Sequence, residues 1–220
     1  MTDTDRLIEQ LAARATPVRR LASPGRRTLL WLALAAAILV LIVAGTGLRP
    51  GQLEALAEPA AAAEWLASVL IGVLAAYAAF QISVPGRPAA WAWLPLPALA
   101  LWLAGLGWGC LRDYSRLGAE AFAFDADSAT CAWEIALVSL PLGLAMLLMV
   151  RHAGAVRPAP TALLATLSAA ALSAAGVSLI HDGESMPMVL LWHAGTVAVL
   201  SLLSLAFGRH LFAWIGHARR

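Results

Sequence analysis

The stretch Trp108-Gly109-Cys110-Leu111-Arg112-Asp113-Tyr114, read with its counterpart Ala129-Thr130-Cys131-Ala132-Trp133-Glu134, decides how this chain is built. Each piece holds one of the only two cysteines, and in each a long apolar run meets a polar, acidic segment. The apolar runs therefore have to end at a common surface and present both thiols there. Working outward, the question becomes what the apolar runs are.

Of the 220 residues, 61% are hydrophobic and only 13% are charged; the mean hydropathy is +0.78. An ordinary globular domain carries about twice that charge, so the composition is that of a protein crossing a membrane several times. A bilayer core about 30 Å thick needs roughly 20 apolar residues at a rise of about 1.5 Å each. Segments 28–48, 64–84, 91–110, 131–150, 161–180 and 187–207 meet that length. The fold class is therefore all-α, a polytopic bundle of six transmembrane helices. It divides into an N-terminal segment 1–27, a membrane domain 28–207 and a C-terminal tail 208–220. The first 27 residues are rich in arginine and have no apolar core of their own, which excludes a cleaved secretory signal. Turn chemistry such as Arg49-Pro50-Gly51 and Pro85-Gly86-Arg87-Pro88 stops one span and starts the next.

Charge sets the expected orientation. All 15 basic residues are arginine, and all but Arg49, Arg112 and Arg116 fall on one side if both termini are cytoplasmic. The carboxylates sort oppositely, with only Asp3, Asp5 and Glu9 of the 13 on that side. Arginine on the inner side is the usual bias, so both termini are expected to face the cytoplasm of a bacterial inner membrane. Seven of the nine tryptophans, Trp31, Trp65, Trp91, Trp93, Trp108, Trp133 and Trp214, fall near span ends, where an indole keeps its ring in lipid and its N–H wet. Gly105-x-x-x-Gly109 and Ala171-x-x-x-Ala175 allow close helix approach; in so Ala-rich a chain, packing within the bundle outweighs a homodimer contact as their use.

Ahead of the first span, Thr4 to Arg14 read as a short helix capped by Thr4 or Asp5, with Leu7, Ile8 and Leu11 forming an apolar stripe. So short a helix is marginal alone in water; it needs a lipid surface or a soluble partner, and composition favours the lipid. The basic linker Pro17-Val18-Arg19-Arg20-Leu21 suits anionic headgroups.

With 20 residues between them, Cys110 ends the third span and Cys131 begins the fourth, on helices expected to be antiparallel neighbours. Packed helices come close enough for a disulfide. A structural bridge in an oxidising compartment and a thiol pair reporting oxidant or a soft metal both remain open. Asp113 and Glu134 each follow a cysteine by three residues, sharing its helix face. Acidic neighbours disfavour the thiolate, which counts against a highly reactive pair and favours metal binding or slow switching. His181, in the last external turn, and His193, inside the sixth span, are further polar or metal-ligand candidates, although interhelical hydrogen bonding is the commoner role of an intramembrane histidine. No nucleophile stands with a base and no phosphate loop or paired-carboxylate site appears, so enzyme activity, a cofactor and direct nucleic-acid contact are not expected. A small transporter or channel is the main alternative; no inverted repeat or run of mid-span charges supports it.

The order Asp5-x-Leu7-Ile8-x-x-Leu11-Ala12, Pro17-Val18-Arg19-Arg20-Leu21, Val84-Pro85-Gly86, Trp108-Gly109-Cys110-Leu111-Arg112-Asp113, Cys131 and Leu191-Trp192-His193 resembles the NrsF family of six-span inner-membrane anti-sigma factors. The resemblance implies that the N-terminal segment holds an extracytoplasmic-function sigma factor at the membrane. It makes Asp5, Leu7, Ile8 and Leu11 candidate sigma contacts, and Cys110 and Cys131 candidate sensors of oxidative or heavy-metal stress. Many members are expected to carry another cysteine after the last external histidine; Asp182 stands there instead, which disfavours a three-thiol site.

Overall fold

The structure is a computed structural model and describes residues 2–14, 21–123, 129–151, 156–180 and 185–217, with side chains as far as Ala213. Most of the linker, His181, Asp182 and Trp214's side chain lie outside the described residues. The helices are α1 (Asp3–Arg14), α2 (Pro24–Thr46), α3 (Gln52–Ala57), α4 (Pro59–Ile82), α5 (Leu96–Leu117), α6 (Thr130–Arg151), α7 (Pro158–Val177), α8 (Met186–Val189) and α9 (Gly195–His217). Short 3₁₀ segments, Ala89–Trp93 and Gly118–Phe122, flank α5, and a π-helical segment, Leu190–Ala194, joins α8 to α9. Six of these stretches are long and apolar enough to cross a membrane, as the sequence indicates.

Helix starts follow local chemistry. Ser23 caps α2, its hydroxyl accepting from the Arg26 N–H at 3.4 Å, and Pro24 takes the position where a missing N–H costs nothing. Helix α1 is capped by Thr2 rather than by Thr4 or Asp5. The Thr2 hydroxyl accepts from the Asp5 N–H at 3.3 Å while the Thr2 N–H and hydroxyl both donate to Asp5 Oδ2 at 2.8 Å. This reciprocal pair is a capping box with aspartate in the glutamate position, and the Thr2 hydrogen bonds hold the Asp5 carboxyl below its ordinary range.

The most buried span is the one richest in alanine. In the apolar stretch of α7 that is long enough to span a membrane, 83% of residues are buried, against 17% in that of α2. Lipid provides no hydrophobic drive between helices, so close packing and hydrogen bonds do the work that burial does in water. Small side chains on α7 let α4, α6 and α9 approach it. Gly72 of α4 marks the tightest contact, since a Cβ there would lie 2.5 Å from Leu172 Cγ. Polar pairs tie the same helices. The Trp31 indole donates to Ser168 Oγ at 3.1 Å, and Ser168 donates to the Gly72 carbonyl at 2.7 Å, joining α2, α7 and α4. Thr166 and Ser204 hydroxyls meet at 2.6 Å between α7 and α9.

Two further expectations change and one holds. Trp31 is not interfacial but fully buried, because Ser168 supplies the acceptor that water would otherwise provide; Trp93, Trp108 and Trp133 are exposed as expected. The Ala171-Ala175 pair is used inside the bundle, as expected: Ser68 donates to the Ala171 carbonyl and Trp65 to that of Ala175, both at 3.0 Å. Among the described residues, α5 and α6 are not close-packed neighbours. Helix α5 packs on α4, α8 and the π segment, and α6 on α7, α9 and the π segment. The connection between them is long enough for the start of the sixth span to enter, and helical period alone does not say which helix a face meets.

At the end where α2 begins, Arg27 is buried. Its guanidinium donates to the Met149 carbonyl at 2.6 Å and stands 4.6 Å over the Phe80 ring. One arginine thus pins α2 to α6 and α4 through a hydrogen bond and a cation–π contact. Gly51 (φ 74°) turns the chain at the other end, and the Arg49 N–H reaches the Leu179 carbonyl at 3.1 Å. These two features set α3 against α4, with the turn before it tied to the residues that follow α7.

Candidate functional site

The site is the polar end of the bundle beneath α3, where the helix ends leave a cavity of about 180 Å³. Helix α3 contributes Gln52, and α4 contributes Glu64, Trp65 and Ser68. The walls are completed by Trp102, Cys131, Ser178, Met186 and His193, from the third to sixth spans.

Cys131 lies in the first turn of α6 and is buried; Cys110, on α5, is partly buried. Both are free thiols, not a disulfide. Only Cys131 lines the cavity, although Cys110 lies within electrostatic range of the Asp113 and Glu64 carboxylates. Cys110 does not end its helix, because α5 continues to Leu117 and then as a 3₁₀ turn to Phe122. His193 is 6% exposed and stands on the π segment. The extra residue of a π turn shifts side-chain register within a helix, and such turns are frequent at functional positions.

Asp113 has a defined task. Its Oδ2 accepts from the Met186 N–H at 2.9 Å, holding the first turn of α8 against α5. Ser185 donates to the Ala121 carbonyl at 3.1 Å beside it. Gly109 lies where a Cβ would come 2.7 Å from Met186 Cγ, so that glycine serves contact within the bundle. Glu134 is half-buried on α6 and does not line the cavity. His181 lies outside the described residues. Among the described residues, no group of three His, Cys, Asp or Glu comes together to hold a metal ion.

The other candidate residues are far away in sequence, on α1. No residue of α1 is buried, and Leu7, Ile8 and Leu11 are 55%, 59% and 63% exposed. The predicted stripe is therefore present and uncovered.

Gln52 and Glu64 were missed by sequence reasoning. Gln52 sits in a short helix that carries no periodic signal. Glu64 offered one: an ionisable residue at the head of an otherwise apolar run is a functional candidate by default, yet it reads equally as a span boundary.

Fold and site together define a multi-pass helical membrane protein with an uncovered amphipathic helix before its first span and a polar cavity at one end of the bundle. The chain belongs to the NrsF family, negative regulator of sigma F, whose model matches residues 11–214. The match includes Leu11 but begins after Asp5, Leu7 and Ile8. No curated protein and no solved structure matches the chain. The family is one of regulators, and a sigma factor is the partner its description implies.

Proposed function

We propose that the protein is an anti-sigma factor of the bacterial inner membrane that holds an extracytoplasmic-function sigma factor at the cytoplasmic face and releases it on periplasmic oxidative or metal stress. In this reading the α1 stripe of Leu7, Ile8 and Leu11 is the sigma contact, with Asp5 closing the helix cap beside it. Cys110 and Cys131 are the sensor residues at the periplasmic end.

The observation that carries the reading is the uncovered stripe on α1 in a chain of a sigma-regulator family. An amphipathic helix laid in a partner's groove is a recurrent recognition mode, and a 12-residue helix gains its stability from such a partner. Release requires two bundle packings that differ in sigma affinity. Moving the bound fraction from nearly full to nearly empty takes about 5.5 kcal/mol of differential affinity. A thiol modification that breaks the packing around buried Cys131 is of sufficient size, whereas an exposed ion pair is not.

The test is capture of the cognate sigma factor by the full chain in nanodiscs, compared with the variant Leu7→Asp, Ile8→Asp, Leu11→Asp. The wild-type chain retains the sigma factor and the variant loses it by at least tenfold in affinity. Equal retention by both would remove α1 from the contact and return it to the lipid surface.

A further inference from the structure

We infer that the cavity beneath α3 is a binding site for a small organic ammonium ion. The primary observation is Gln52. Its side chain lines the cavity, the residue is 5% exposed, and its Oε1 is buried with no hydrogen-bond partner. A buried amide oxygen left without a donor costs about 1–3 kcal/mol, so an orphan of this kind at a cavity wall calls for a donor from a molecule that enters.

The remaining wall selects which donor. Ser68 and Ser178 spend their O–H groups on the carbonyls of Ala171 and Ala175, at 3.0 and 2.9 Å, leaving only acceptor capacity. Trp65 likewise spends its indole N–H on Ala175. Glu64, half-buried on the same wall, has no ion-pair partner among the described residues. Apart from Arg49 and His193, each engaged in an interaction of its own, the wall thus offers acceptors and a carboxylate, with the indoles of Trp65 and Trp102 beside them. Acceptors, one anionic group and aromatic surface are the chemistry that receives an N–H-bearing cation. Arg49 also lines the cavity, already engaged in an interaction of its own, so a second, anionic end on the ligand is compatible with the site but not required.

Size narrows it further. A cavity of about 150 Å³ takes up benzene, so about 180 Å³ fits a ligand of roughly six to eight heavy atoms. A metal ion fits poorly, since no three ligating groups converge among the described residues. The position has consequences, because Cys131 and His193 share the wall: an occupant would press on the start of α6 and on the π segment of the sixth span. The inference stands apart from the sigma reading, since binding is measured on this protein alone.

The experiment is calorimetric titration of the full chain in nanodiscs with n-butylammonium, its uncharged counterpart n-butanol, and tetramethylammonium, which is charged but has no N–H. Saturable binding of n-butylammonium, with both controls at least tenfold weaker, is the expected result. Gln52→Leu and Glu64→Gln should each weaken n-butylammonium by roughly tenfold to a hundredfold, the value of a hydrogen bond to a charged group. Gln52→Leu also removes the orphan oxygen, so its unliganded melting temperature should equal or exceed wild type, which separates a lost site from a lost fold. Absence of saturable binding by n-butylammonium, or binding unchanged in both variants, would overturn the assignment.

Discussion

The Asp113 carboxylate accepts a hydrogen bond from the Met186 backbone N–H at 2.9 Å, fixing the end of the third span to the start of the sixth. Met186 in turn fills the space left by Gly109 and lines the cavity that contains Cys131 and His193. The residue read from sequence as a companion of Cys110 is therefore a latch between helices. Removing it with Asp113→Ala leaves a part-buried N–H unpaired and takes away a hydrogen bond to a charged group, worth about 1.5–3 kcal/mol. Asp113→Asn keeps an acceptor and should lose less. Thermal unfolding in detergent checks the order wild type, Asn, Ala.

Glycines divide sharply by what surrounds them. At Gly208 a Cβ would lie 2.9 Å from both Ala159 Cα and Ala162 Cβ, and a backbone neighbour cannot move aside. Gly208→Ala is expected to destabilise by about 1–3 kcal/mol through overpacking. Gly109→Ala meets Met186, whose Cγ and Sδ can turn away while its Cβ at 3.2 Å has to give by a few tenths of an ångström, and should cost less; Gly107→Ala meets nothing within 4 Å and should be close to neutral. Measured unfolding midpoints in any other order would contradict the packing of α9 on α7.

Ser168 is a relay rather than a filler. Ser168→Ala strands the Trp31 indole N–H in the bundle interior, while the Gly72 carbonyl, inside α4, keeps its intrahelical donor. Interhelical hydrogen bonds in membranes average about 0.6 kcal/mol, while unpaired buried groups cost about 1–3 kcal/mol each. The expected loss is about 1–3 kcal/mol, with a red shift or broadening of Trp31 fluorescence relative to a Trp31→Phe control. Unchanged stability would show that water or a shifted neighbour repairs the relay.

Much of this architecture was legible because a bilayer forces one quantity, the length of an apolar run. Spans, and their approximate ends, follow from that alone, and the arginine-free middles follow with them. What period and composition do not encode is neighbour choice. The separation of α5 from α6, the burial of Trp31 and the engagement of Asp113 by Met186 all depend on which helices meet. The α1 stripe was readable at i, i+1 and i+4, since an exposed amphipathic helix carries its pattern in sequence. Gln52 was not, because a six-residue helix has too few turns for a pattern and an orphaned oxygen exists only once the walls around it are placed. The π segment at His193 was equally hidden, since Leu190–Ala194 reads as ordinary apolar helix.

Sigma capture by α1 and sensing at the cavity end require the two to lie on opposite sides of the membrane, with α1 in the cytoplasm. The native thiols are poor reporters, Cys131 being buried and Cys110 partly so. In a background carrying Cys110→Ser and Cys131→Ser, single cysteines at exposed positions, Leu11→Cys on α1 and Glu120→Cys after α5, give a clean readout. Treated with a membrane-impermeant maleimide, intact spheroplasts should label the Glu120→Cys protein and leave the Leu11→Cys protein unlabelled until the cells are opened. Labelling of Leu11→Cys in intact spheroplasts, with Glu120→Cys protected, would place the stripe outside, beyond reach of any sigma factor.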